Sequence, residues 1–228
     1  MLILSIDTTS NAGSVAVSEH TTLLGCVQTS SAESHSVRLF AAIQFLIEQL
    51  KIPLSRFDAY AVTTGPGSFA GLRIGVAAVK GLAEMFQKPA VPVSTLEAVA
   101  GTAGVISGNE RIVAVLDARR SEVYAGTYVC SGDHLVCVEP DCLVKADLFF
   151  GAQPETPCRF VGPEVDKFSS FVTPRSSWGW SLVKTTWFLA PQVAKVASQK
   201  IQKAGMLPSD QLSIRYIRRS DAEMMFKV

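Results

Sequence analysis

The sequence is poor in charge imbalance, in histidine and in paired cysteine. Its 21 Lys and Arg stand against 20 Asp and Glu, a formal net charge of +1. That excludes a chain whose whole surface is an electrostatic footprint for nucleic acid and leaves room only for a local basic patch. The three histidines, His20, His35 and His134, lie far apart, with no His-x-x-x-His pair to set two imidazoles on one helical face around a metal. The five cysteines are odd in number and include no Cys-x-x-Cys, so they read as free thiols of a reducing compartment. No apolar run approaches the ~18 residues of a membrane span. The opening Met1-Leu2-Ile3-Leu4-Ser5-Ile6-Asp7 has no basic segment ahead of its apolar run and meets an acid too early for a secretion signal. A cytoplasmic chain with no membrane contact is expected.

Apolar residues are not scarce: at 48% of 228 residues they suffice for a packed core of one large or two small domains. The most informative stretch runs from Thr63 to Gly75. Ala59 to Thr63 reads as a strand, Gly65-Pro66-Gly67 as a turn, and Ser68 as the cap of a long helix. Along that helix Phe69, Leu72, Val76, Val79, Ala83 and Phe86 recur at three- and four-residue steps, giving one apolar stripe. Beside the stripe, Gly71 with Gly75 and Ala77 with Gly81 form small pairs four apart. Glycine costs about 1 kcal/mol per interior helix site, so these glycines predict close helix packing.

Ahead of this stretch, Leu2 to Ile6, Ser14 to Ser18 and Thr22 to Thr29 read as an antiparallel meander. Its first turn, Asp7-Thr8-Thr9-Ser10-Asn11-Ala12-Gly13, suits either a phosphate or its own backbone. Ser34 to Leu50 is an amphipathic helix with His35 at its start and Leu39 and Ile43 on its apolar face. After it come a strand at Pro89 to Val93 and a capping box at Ser94-Thr95-Leu96-Glu97. The Ala- and Gly-rich Ala98 to Gly108 marks a boundary between halves. Arg111 to Leu116, the acid-led turn Asp117-Ala118-Arg119-Arg120-Ser121, a strand from Glu122 to Cys130 and another from His134 to Val138 then repeat the opening of the chain. This predicts a duplicated α/β architecture with a cleft between halves. Signals are weak from Val144 to Trp187, although Phe160 to Pro163 suggests a strand and turn and Thr173 to Trp180 a loop. Pro191 to Ala204 is helical, ended by Gly205 and Pro208. The tail, Ile214 to Glu223, reads as a solvated surface strand, with an RNA phosphate contact as the alternative.

Five segments occur together in order: Ile6-Asp7-Thr8-Thr9; Thr64-Gly65-Pro66-Gly67-Ser68-Phe69-x-Gly71-x-Arg73-Ile74-Gly75; Val93-Ser94-Thr95-Leu96; Leu116-Asp117-Ala118-Arg119-x-x-Glu122-Val123-Tyr124; and Tyr216-x-Arg218-x-x-Asp221-Ala222-Glu223. Together they resemble the TsaB family, formerly YeaZ. The likeness spans nearly the whole chain and is weakest from Val144 to Trp187. It implies the duplicated actin-like fold shared by sugar kinases and chaperone ATPases, two halves each with a mixed sheet and packed helices. The first half, residues 1–104, would carry the partner-binding helices, and residues 105–228 a degenerate second half.

The resemblance also implies work on threonylcarbamoyladenosine beside the anticodon of tRNA, where a related larger subunit, TsaD, performs the transfer and TsaB is its required partner. A TsaE-type ATPase would join the assembly, the isolated chain would pair with itself, and tRNA would be met indirectly. No catalytic residue, metal or cofactor of its own is expected, with ATP or ADP admitted only at a partner interface. Asp7, Thr8, Thr9 and Asp117 are then vestigial phosphate-facing positions. Arg119 and Arg120 crowd and neutralise the second acid, and Gly162-Pro163 is a remnant of a glycine-rich loop. Ser121 departs from the family, where glycine is usual. The partner surface is expected at His35, Leu39, Ile43, Ser68, Gly71, Leu72, Gly75 and Val79. Two alternatives stay open on the residues alone: a small-molecule kinase of the same superfamily, which requires ATP turnover, and a metallopeptidase, which requires a bound metal.

Overall fold

Two sheets arise because the apolar runs come in two matching sets. A computed structural model describes residues 1–30, 34–104, 110–132, 134–204 and 211–218. In the first set, β1 (Leu2–Asp7), β2 (Ala12–Glu19), β3 (Thr22–Ser30), β4 (Ala59–Thr63) and β5 (Ala90–Val93) assemble in the order β3-β2-β1-β4-β5. The meander is antiparallel, whereas β4 and β5 run parallel to β1 behind the crossover helices α1 (His35–Leu50) and α2 (Phe69–Phe86). After α3 (Thr95–Ala100) the pattern restarts with β6 (Arg111–Asp117), β7 (Glu122–Ser131) and β8 (His134–Lys145), then α4 (Ala146–Gly151), β9 (Cys158–Gly162), α5 (Ser169–Val172) and β10 (Ser181–Lys184). The second sheet has the order β10-β9-β6-β7-β8, the same arrangement of three antiparallel strands beside two parallel ones. The predicted duplication is therefore present strand for strand.

Strand β1 is buried on both faces, as a central strand must be. Leu4 and Ile6 point into a cluster with Leu39, Ile43, Leu46, Val76 and Val79 of α1 and α2. Ile3 lies in a second cluster, which joins α3, β6 and the last helix, α6 (Ala190–Ala204). Three helix starts are fixed by serine caps: Ser34 accepts from the Val37 amide, Ser68 from Gly71, and Ser94 from Leu96 and Glu97. The capping box at Ser94 is half realised. Glu97 pairs with Lys200 at 2.7 Å, which ties α3 to α6.

Helix α6 complicates a division of the chain at residue 104. It packs across β1, β2, β4 and β5 of the first sheet. The Ser5 hydroxyl donates to the Ala190 carbonyl at 2.8 Å, and the Ala190 amide donates to Ser14 Oγ at 3.0 Å. The second half thus lends its final helix to the first. The weakly patterned stretch from Val144 to Trp187 forms an aromatic core of its own, with Phe150 at 5.2 Å from Phe160 and Phe160 at 5.0 Å from Trp180 between ring centroids. Thr173–Trp178, expected as loop, is a 3-10 turn. Gly205 and Pro208 lie outside the described residues.

Candidate functional site

The first acidic turn faces inward. Asp7 is fully buried and Thr8 and Thr9 nearly so, and none of the three lines the cleft between the halves. One carboxylate oxygen of Asp7, Oδ1, accepts from the Thr9 and Thr63 hydroxyls, each at 2.8 Å, and from the Thr9 amide at 3.3 Å. Oδ2 is buried with no hydrogen-bond partner, although the Leu189 amide at the start of α6 exerts a weaker pull. Burial outweighs these bonds and pushes the Asp7 pKa up to about 6. The Thr8 hydroxyl donates to the Gly71 carbonyl at 2.7 Å, which stitches the turn to α2.

Asp117, the second acid, is partly exposed and ion-paired with Lys167 at 2.7 Å, and it also accepts from the Arg119 amide at 2.8 Å. Its burial works against ionisation, but the Lys167 bond and that amide hold its pKa below the usual carboxylate range. The sequence points to the arginine pair as its neutraliser, whereas the principal partner is Lys167. Arg119, Arg120 and Ser121 take φ values of +61°, +54° and +57°, three successive left-handed residues without a glycine. Each such residue costs roughly 1–2 kcal/mol. This is why glycine suits position 121, and why the serine there is strained.

The helix residues expected at a partner surface are mostly interior. Leu39, Ile43, Leu72 and Val79 belong to the chain's own core, His35 is half-buried beside Arg38, and Ser68 serves as a cap. Burial and the Arg38 charge hold the His35 pKa below its ordinary value. A Cβ on Gly71 would overlap the Thr8 carbonyl oxygen, and one on Gly75 would overlap Thr8 Oγ1. Both glycines admit the β1–β2 turn of their own half rather than a foreign helix. The same helices expose a different apolar face: Val37, Phe40 and Phe45 on α1 are 58%, 56% and 54% exposed, and Met85 on α2 is 74% exposed. Gly81, with nothing within 4 Å of a built Cβ, is the glycine of α2 that stays open to solvent. The three- and four-residue repeat identified the helices. It could not separate this outer stripe from the inner one, because both are apolar.

Between the halves opens a cleft of about 470 Å³. The strained Arg119-Arg120 turn and Tyr124 line it from the second half, and Pro66, Gly67, Phe69 and Leu72 from the first. Across it runs a strap, residues 212–218, which has no strand pairing. Leu212 is buried in the first half's core, and the Arg215 amide donates to the Thr64 carbonyl at 2.8 Å. A Cβ on Gly65, whose φ is +121°, would come within 2.7 Å of the Arg215 carbonyl oxygen, so this approach needs glycine. Tyr216 packs on Phe69 with ring centroids 5.0 Å apart and accepts from Arg73 Nε at 3.2 Å. Arg218 pairs with Glu122, and Arg215 lies 3.5 Å from the buried carboxylate of Asp141. Asp141 in turn accepts from the Ser94 hydroxyl at 2.6 Å and the Tyr128 hydroxyl at 3.0 Å, and burial together with that carboxylate raises the Tyr128 pKa. The described part of the tail, residues 214–218, is therefore a clasp across the halves rather than a surface strand. Arg219, Ser220, Asp221, Ala222 and Glu223 lie outside the described residues. Among the described residues, no group of three His, Cys, Asp or Glu side chains is placed to hold a metal ion, and no helix is long and apolar enough to cross a membrane.

Comparison with known proteins agrees with this geometry. The family described as TsaD, tRNA N6-adenosine threonylcarbamoyltransferase, matches residues 9–226. Among curated relatives, the tRNA threonylcarbamoyladenosine biosynthesis protein TsaB of Escherichia coli strain K12 is 37% identical over 128 residues, 56% of this chain and 55% of that protein. The protein of the same name from Bacillus subtilis strain 168 is 34% identical over 141 residues, 62% of this chain and 61% of that protein. The chain thus matches little more than half the length of these relatives. YeaZ from Pseudomonas aeruginosa superposes with a TM-score of 0.79 at 24% identity, over 94% of this chain and 99% of that one. The (R)-2-hydroxyglutaryl-CoA dehydratase component A of Acidaminococcus fermentans shares the fold at a TM-score of 0.51 and 9% identity, over 89% of this chain and 100% of that one. The fold is the duplicated actin-like one.

Proposed function

Because the chain belongs to the family described as TsaD, tRNA N6-adenosine threonylcarbamoyltransferase, and is similar to TsaB and YeaZ proteins, we propose that it is a non-catalytic partner of a TsaD-type transferase. In this reading the assembly installs the threonylcarbamoyl group on the adenosine beside the anticodon of tRNA. The observation that carries it is the exposed apolar side chains of α1 and α2, where Val37, Phe40, Phe45 and Met85 are left to solvent. Large exposed apolar patches of this kind mark association sites. The isolated chain would cover the face with a second copy, and a related partner of the same fold would replace that copy. A TsaE-type ATPase would join the same assembly.

The two acidic turns favour this role over an independent kinase. Asp7 is interior, Asp117 is engaged with Lys167, and among the described residues the cleft lining contains no carboxylate or carboxamide side chain to position a metal-bound nucleotide. Any ATP or ADP in the assembly then belongs to the interface with a partner. The test is reconstitution: the chain should bind a TsaD-type protein and raise tRNA modification, and Phe40→Glu should weaken that affinity at least tenfold, as loss of a central aromatic anchor does. Phe40 is 56% exposed, so the melting temperature of the monomer should hardly move. Undiminished affinity in the Phe40→Glu protein would refute the assignment of this face.

A further inference from the structure

The lining of the cleft under the strap includes none of Val37, Phe40, Phe45 and Met85, and its composition is specific. Four of its eleven lining residues are arginines, in a chain whose net charge is +1, although Arg218 is paired with Glu122 and Arg215 lies beside Asp141. Arg119 and Arg120 are displayed on the strained left-handed turn, and Arg215 is 56% exposed on the opposite side. Three aromatic rings, Phe69, Tyr124 and Tyr216, are interleaved with them, and Phe69 and Tyr216 are 41% and 46% exposed at the rim. Backbone strain of this size persists where the surroundings enforce it, and here it sets Arg119 and Arg120 in the lining of a cavity.

The ligand chemistry follows from what the lining offers and what it omits. Guanidinium groups bind phosphate oxygens, and exposed rings accept stacked bases. Among the described residues the lining holds no carboxylate or carboxamide side chain, so it offers neither an acid to ligate a metal ion nor an Asn or Gln to read an adenine edge. Phosphate contacts and stacking without base readout are the mode by which proteins hold an RNA strand. We infer that this cleft seats the phosphodiester backbone of the tRNA, so that the chain touches the RNA itself as well as the partner. The inference rests on the function proposed above.

The test measures binding of labelled, unmodified tRNA to the full chain, alone and with its TsaD-type partner, from about 50 to 200 mM salt. Arg119→Asn is the informative variant, since asparagine tolerates the left-handed conformation and removes only the charge. It should lower affinity about fivefold at physiological salt and reduce the slope of log affinity against log salt by about one, and Arg119→Lys should restore both. Tyr216→Ala should cost about tenfold with the slope unchanged. Unchanged affinity and slope in a folded Arg119→Asn protein would overturn the inference. So would AMP binding as tightly as the RNA, which would make the cleft a mononucleotide site. Partner stimulation is measured on the same preparations. If stimulation persists while RNA binding ignores Arg119, this inference alone falls, whereas absent stimulation defeats the functional reading.

Discussion

Asp7 is a carboxyl held away from water with one oxygen bonded three times and the other bare. Its pKa rises from 3.8 to about 6 in the folded protein. The folded state therefore holds this proton more tightly than the unfolded chain does. The stability it contributes is complete below about pH 4 and is lost as pH rises through about 6, where the buried group must ionise. A rise of about two units corresponds to about 3 kcal/mol. Urea unfolding at pH 4.5 and 7.5 should show wild type losing stability at the higher pH relative to Asp7→Asn, and the variant should retain tRNA modification in reconstitution. A wild-type profile as flat as the variant's would show that the carboxyl is not perturbed. The sequence displayed this acid and its hydroxyl neighbours plainly. It did not display their direction, because alternation along β1 puts Asp7 on the face shared with Ile3 and Ser5, and only the packing of α6 closes that face. The departure at Ser121 was legible for a different reason: a position where glycine is usual is one where the backbone turns left-handed, and φ is +57° there.

Helix α2 shows how much one element's sequence can say. Its length, its serine cap and its inner stripe all follow from spacing and residue type. Its glycines are ambiguous, since a missing side chain permits close approach without saying by what. Gly71 and Gly81 separate the two meanings. A methyl on Gly71 meets backbone, the Thr8 carbonyl, and must displace the β1–β2 turn. Gly71→Ala should destabilise the protein by about 2 kcal/mol or more. At Gly81 the same change meets open space and gains helix propensity, so Gly81→Ala should stabilise the monomer by about 0.5 to 1 kcal/mol. Thermal unfolding of the two variants side by side decides this, and equal effects would contradict the placement of α2 against β1. The stretch from Val144 to Trp187 was opaque because its apolar residues serve short elements. β10 has four residues and α5 another four, too few for any period to emerge.

In the whole molecule, duplication was legible because both halves open with strand, acid-led turn and two more strands. The exchange of α6 and the strap between halves was not, since no local pattern states which sheet a distant segment will cover. The same global arrangement bears on activity. With Asp7 interior and Asp117 tied to Lys167, the isolated chain should turn over ATP far below an ordinary enzyme rate of about 1 per second. A steady-state phosphate-release assay checks this, and turnover near that rate would favour the kinase alternative.

The strap has a consequence for how the protein is made. Leu212 completes the core beneath α1 and α2, and α6 roofs the other face of the same sheet. When residue 104 leaves the ribosome, the first half therefore has all its strands but lacks the pieces that seal it. At ordinary synthesis rates the missing segments follow on the order of 10 s later. Throughout that interval the nascent chain exposes the unroofed sheet as well as the outer face of α1, which makes it a natural client for holdase chaperones. A ribosome stalled short of Leu212 would carry a product fit for degradation rather than a free-standing half.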